Sequence, residues 1–124
     1  YIVGQERFPL EGKFTWEIIE GGGPLEEDPL ISAKRELREE AGLSAKRWNL
    51  IQEMEISNSA TTERALIYLA RGLEKVEARP EATEKLQLRH IPFAELEREV
   101  LEGNITDSLS VVGTLRACRL LHRV

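Results

Sequence analysis

The segment from Asp28 to Gly42 leaves this chain little choice of local structure. Asp28 is a strong N-cap, and Pro29 follows at the first helical position, where its missing N–H costs nothing. Gly42 stands where a left-handed residue ends a helix. Between them Leu30, Ala33, Leu37 and Ala41 recur at helical spacing and form an apolar stripe. The segment predicts a helix over 29–41, with one flank packed on a core. Glu36, Glu39 and Glu40 fall at i, i+3 and i+4 beside that stripe, so their carboxylates share one face. Two like charges about 4 Å apart, at an effective dielectric near 20, repel by roughly 4 kcal/mol. Protons, open solvent or a cation must offset that. A hard divalent cation does so best, because Mg²⁺ takes oxygen ligands and keeps positions open for water and phosphate. Taken alone, the acids also read as a solvated helix face.

The pattern extends upstream. Gly21 is followed by five residues, Glu27, seven residues and then Arg35-Glu36-Leu37-Arg38-Glu39-Glu40-Ala41-Gly42-Leu43. This spacing resembles the Nudix box, and all nine defining positions match without a gap. The resemblance implies an α/β/α sandwich with a mixed central sheet. It also implies hydrolysis of the pyrophosphate bond in a nucleoside diphosphate linked to a further group. Mg²⁺ is the implied cofactor, with Mn²⁺ able to substitute. Carried onto this chain, Glu36 and Glu40 are the metal ligands, and Glu39 is a ligand or the general base. Glu20, just before the box glycine, contributes its backbone carbonyl. Glu27 supports the site through water, and Arg35 orients a glutamate. A further acid from a downstream loop is expected at Glu84, with Glu81 as the fallback; both also read as exposed loop acids.

The flanks resemble the ADP-ribose or ADP-sugar branch of that family. Gln5-Glu6-Arg7 and Trp16-Glu17-Ile18-Ile19-Glu20-Gly21 lead into the box, and Gly103-Asn104-Ile105-Thr106-Asp107-Ser108 leads into the last helix. The implied products are AMP and a sugar phosphate. One departure stands against this branch: Asn58-Ser59-Ala60 occupies the region where its members often carry a proline. Two other readings remain, a nucleoside-triphosphate sanitising enzyme and a catalytically inactive nucleotide-sugar-binding module. Arg7 is a candidate phosphate contact, weighed against a surface arginine. Trp16 is a candidate base-stacking residue, weighed against core packing. Members of the branch are commonly homodimers, so a dimer is implied.

At 124 residues the chain reads as one domain, 1–124. Its start at Tyr1, inside an apolar segment, points to residues upstream. A net charge of −5 argues against a nucleic-acid backbone binder. Cys118 is the single cysteine, so no internal disulfide forms, and its apolar surroundings predict a buried, inert thiol. No run reaches transmembrane length and no signal peptide is visible, so no membrane partner and a cytoplasmic location are expected. His90 and His122 lack Cys or His partners at metal spacing and read as structural.

Strands are expected at 1–3, 14–19, 48–57 and 86–91, with a buried central strand at 65–70. Helices are expected at 93–101 and 106–121, the latter capped by Thr106 or Asp107 and carrying Leu109, Val112, Leu115 and Leu120 as apolar positions. This order implies a sheet with helices on both faces.

Overall fold

The computed structural model describes residues 1–6, 12–24, 26–60, 62–77 and 87–122. Arg7, Glu81 and Glu84 lie outside them, as does the loop expected at 78–83. The elements run β1 (Ile2–Glu6), β2 (Phe14–Ile18), α1 (Pro29–Ala41), β3 (Leu43–Glu55), β4 (Arg64–Lys75), β5 (Gln87–Arg89), α2 (Phe93–Leu101) and α3 (Ser108–Leu121). The fold is mixed α/β, as the sequence implies. Among the described residues β2-β1-β5 form one sheet and β3-β4 another, with every pairing antiparallel.

Helix α1 forms where its caps place it. The Asp28 carboxylate accepts the Leu30 N–H at 2.9 Å. Gly42 adopts φ 63° and ψ 37° and donates its N–H to the Arg38 carbonyl at 2.9 Å, which stops the helix. Leu37 and Ala41 then bury with Leu43, against Tyr1, Ile19, Ala45, Trp48 and Ala70. That contact fixes the helix's rotation and leaves Glu36, Glu39 and Glu40 half-buried on the adjoining flank.

The hairpin β3-β4 is longer than the apolar pattern predicts. β3 starts at Leu43, directly after the helix stop, and β4 runs on to Lys75. Beyond Leu43 and Ala45, which pack on the core, the added residues are largely polar, because there the pair is open to solvent and its side chains need not alternate. The Lys46–Glu74 ion pair at 3.0 Å crosses it. The expected central strand 65–70 has β3 as its one partner among the described residues, and burial is fullest at Ala65 and Ile67. The register shifts between Leu50 and Gln52, and Arg116 Nε donates to the Ile51 carbonyl there at 2.9 Å.

Helix α3 is capped by Asp107, whose carboxylate accepts the Ser110 N–H at 3.1 Å. Its buried face is not the leucine stripe but Ser110, Gly113, Thr114, Ala117 and Cys118, while Leu115 is exposed. Small residues let the helix lie close to the strands. A Cβ at Gly113 would stand 3.3 Å from Ile67 Cγ2 and 3.4 Å from Ile18 Cδ1. Cys118 is buried, and burial pushes its thiol up to about 11, which keeps it protonated and inert.

Candidate active site

The turn before α1 is held against the helix by Glu27. Its Oε1 accepts both the Ser32 hydroxyl, at 2.5 Å, and Arg35 Nη1. These two hydrogen bonds, the serine's first, hold the Glu27 carboxyl below its ordinary range. Arg35 stands 4.0 Å from Glu36 and from Glu39, so its close partner is Glu27. The Gly21-Gly22-Gly23 turn can then approach the helix closely. A Cβ on Gly21 would collide with the Glu36 carboxyl, and one on Gly23 with the Ser32 hydroxyl. Any larger residue at 21 or 23 would have to displace these side chains.

Glu40 is the most strained of the box acids. Burial, then the Glu36 charge, pushes its carboxyl up to about 7, although the Glu20 backbone N–H donates to it. Its Oε2 is buried without a hydrogen-bond partner. Burial and the Glu39 charge also raise Glu36. Yet the side chains of Glu36 and Glu39 keep 19% and 26% of their surface exposed, so this flank is open to a ligand. An orphaned carboxylate oxygen, two acids whose ionisation is disfavoured and a glycine-lined approach suit a hard divalent cation.

A second acidic group lies behind this turn. Among the described residues, the carboxylates whose oxygens come within 4.8 Å of one another are Glu17, Glu20 and Asp107, not the box trio. The tighter group is nevertheless the poorer place for a catalytic ion. Glu17 and Asp107 are each 8% exposed, and Ser110 is wholly buried beside them, so the group offers a phosphate little surface. Burial, then a hydrogen bond with Asp107, pushes Glu20 up to about 9, so it stays protonated at neutral pH and can donate. Glu20 thus has two faces. Its backbone N–H meets Glu40, and its side chain turns away toward α3.

Trp16 sits across β2 from Glu17, since side chains alternate along a strand. It is half-buried, with Phe14 packed edge-on at 5.6 Å and the Arg89 guanidinium 5.1 Å above its ring. Gly4 opposite makes room, because a Cβ there would stand 2.6 Å from the Phe14 ring. His90 stacks on Tyr1 at 4.2 Å, a packing role. Ser32, Asp107 and Ser110 are the polar residues that sequence reasoning missed as site neighbours. For Asp107 and Ser110 the signal was the small-residue spacing of Ser110, Gly113, Thr114 and Ala117, which marks a face pressed against a sheet.

Comparison with known proteins matches this geometry to a family. The NUDIX domain model matches residues 2–109. The chain is 36% identical over 108 residues to an ADP-ribose pyrophosphatase of Mycobacterium tuberculosis, covering 84% of this chain and 52% of that protein. It is 33% identical over 113 residues to a methanol dehydrogenase activator of Bacillus methanolicus, covering 90% of this chain and 60% of that protein. It therefore spans between half and two thirds of the length of these relatives. A crystal structure of an ADP compounds hydrolase superposes with a TM-score of 0.83 at 19% identity, covering 99% of this chain and 68% of that one, which shows the shared fold. The chain belongs to the Nudix domain family.

Proposed function

We propose that this chain is a metal-dependent pyrophosphohydrolase that splits ADP-ribose, or a related ADP-sugar, into AMP and a sugar phosphate. The observation that carries it is the half-buried Glu40 carboxylate, whose Oε2 is buried and unpartnered beside the open flank of Glu36 and Glu39. The similarity to an ADP-ribose pyrophosphatase supports the choice of substrate.

Glu36 and Glu40 would hold the cation, together with the backbone carbonyl of Glu20. Bound there, Mg²⁺ or Mn²⁺ supplies positive charge to the pyrophosphate oxygens and lowers the pKa of a bound water. The chain's own groups do the rest. Glu39 stands one helical turn from Glu36 and takes the proton from the attacking water. The water oxygen bonds to phosphorus, the bridging P–O bond breaks, and the bridging oxygen leaves on the second phosphate. Ser32 and Arg35, both on α1, hold Glu27 and so tie the turn that precedes the helix to it. Trp16, with Arg89 over its ring, offers a stacking surface to the adenine. On sequence grounds, Arg7 is proposed as a phosphate contact and Glu84 as a further acid. The proposed assembly is a homodimer acting on a soluble nucleoside-diphosphate substrate.

The test is product identity across ADP-ribose, other nucleotide sugars and nucleoside triphosphates, with Mg²⁺ and then with EDTA. AMP released from ADP-ribose in Mg²⁺ alone is the expected result. Pyrophosphate released from a triphosphate would move the chain to the sanitising branch. One relative carries the name of a dehydrogenase activator, which does not itself name a hydrolysis, and the second reading is a module that binds a nucleotide sugar without turnover. Binding of ADP-ribose with no cleavage in Mg²⁺ would select it.

A further inference from the structure

Ser110 is wholly buried, and one hydroxyl there ties three parts of the fold together. Its Oγ accepts the Ile18 N–H at 2.9 Å, from the last residue of β2. It donates to Asp107 Oδ2 at 2.8 Å, and Glu20 Oε2 lies 3.3 Å away. Asp107 itself caps α3 through the Ser110 N–H. Two residues beyond Ile18, the chain reaches Glu20 and then Gly21, where it meets the box acids. The Glu20 N–H donates to Glu40, and Gly21 leaves no room for a Cβ beside Glu36. A displacement at the end of β2 therefore moves the groups that face both acids.

We propose that Ser110 and Asp107 are positioning residues that hold the Glu20-Gly21 step in register with Glu36 and Glu40. They touch neither substrate nor cation. They set where the Glu20 carbonyl points, by fixing the residue from the opposite side. A buried hydroxyl suits this role because it accepts from a strand N–H while donating to a helix cap. The small face of α3 makes it reachable, since Gly113 and Ala117 let the helix approach the strands. The inference rests on the metal-dependent reading above.

The test is the binding of Mn²⁺ to purified protein, followed by electron paramagnetic resonance, with thermal melts to establish that each variant is folded. Ser110→Ala removes the hydroxyl. Glu20→Ala breaks the same strut from its half-buried end and keeps the backbone carbonyl, which guards against a Ser110 variant that fails to fold. Folded Ser110→Ala or Glu20→Ala should bind Mn²⁺ about tenfold more weakly, the usual loss when the support of a ligand is removed. Asp107→Asn, which keeps a helix-capping side chain, should stay near wild type, and Asp107→Ala should follow Ser110→Ala. A folded Ser110→Ala and Glu20→Ala pair with wild-type Mn²⁺ affinity would overturn the positioning role and leave the functional reading standing. Failure of the wild-type protein to bind Mn²⁺ would overturn both.

Discussion

Replacing Glu40 by Gln should make the metal-free protein more stable and the enzyme far less active. Burial moves the Glu40 carboxyl from its ordinary 4.5 to about 7. At 1.36 kcal/mol per pH unit, that gap corresponds to about 3 kcal/mol against the charged form. The side chain is only partly buried, so solvent screens part of this, and a cost of about 1–2 kcal/mol is the better figure. The sign follows from the raised value. Below the unfolded value both states are protonated and the cost is absent. It grows as the unfolded carboxyl ionises and is complete once pH passes the folded value. Gln is neutral, similar in shape and still accepts the Glu20 N–H, so it removes the cost. In EDTA at about pH 8, Glu40→Gln should therefore melt about 4–8 °C above wild type. At about pH 4 the two should melt together. Turnover in Mg²⁺ should fall at least about 100-fold, since a ligand charge is gone. Calorimetry at the two pH values and an AMP-release assay read both effects. A variant that melts at or below wild type at the higher pH would refute the account of Glu40 as a desolvated charge. Retained turnover would refute its metal role.

Gly21→Ala places a methyl group against the Glu36 carboxyl, so activity should drop at least tenfold, on the order expected for a displaced ligand, while the protein still folds; steady-state kinetics beside circular dichroism checks this. Asp28→Ala removes the cap of α1 and should cost about 1 kcal/mol, read as a melting point roughly 4 °C lower with kcat unchanged. Trp16→Ala should raise KM for ADP-ribose about tenfold or more with little change in kcat, because base stacking is worth about 1–3 kcal/mol; an equal fall in kcat would place Trp16 outside the binding surface.

The helix that carries the box acids was legible because every signal for it is local. The Asp28 cap, Pro29, the Leu37–Ala41 contact and the left-handed Gly42 all act within a few residues, and each stands where its type predicts. The hairpin was legible only in part. Residues such as Lys46, Arg47 and Glu74 lie on an open end of β3-β4, where pairing comes from backbone hydrogen bonds and no apolar alternation marks the strand. α3 was legible as a helix but not in its packing. Leu109, Val112, Leu115 and Leu120 marked its apolar positions, yet close approach to β2 and β4 demands small residues, so Ser110, Gly113 and Thr114 are buried and Leu115 is not. The link from Asp107 and Ser110 to Glu20 joins residues about ninety positions apart, which no local pattern can reveal. The family resemblance assigned a role to the Glu20 backbone carbonyl alone, and the side chain faces the other way, toward α3.

The most direct measurement is a ³¹P NMR time course of ADP-ribose with the wild-type protein, first in Mg²⁺ and then after EDTA. The account predicts that the pyrophosphate signals give way to two phosphomonoester signals, AMP and ribose phosphate, and that EDTA halts the change. Pyrophosphate signals that persist in Mg²⁺, or that decay equally in EDTA, would contradict it.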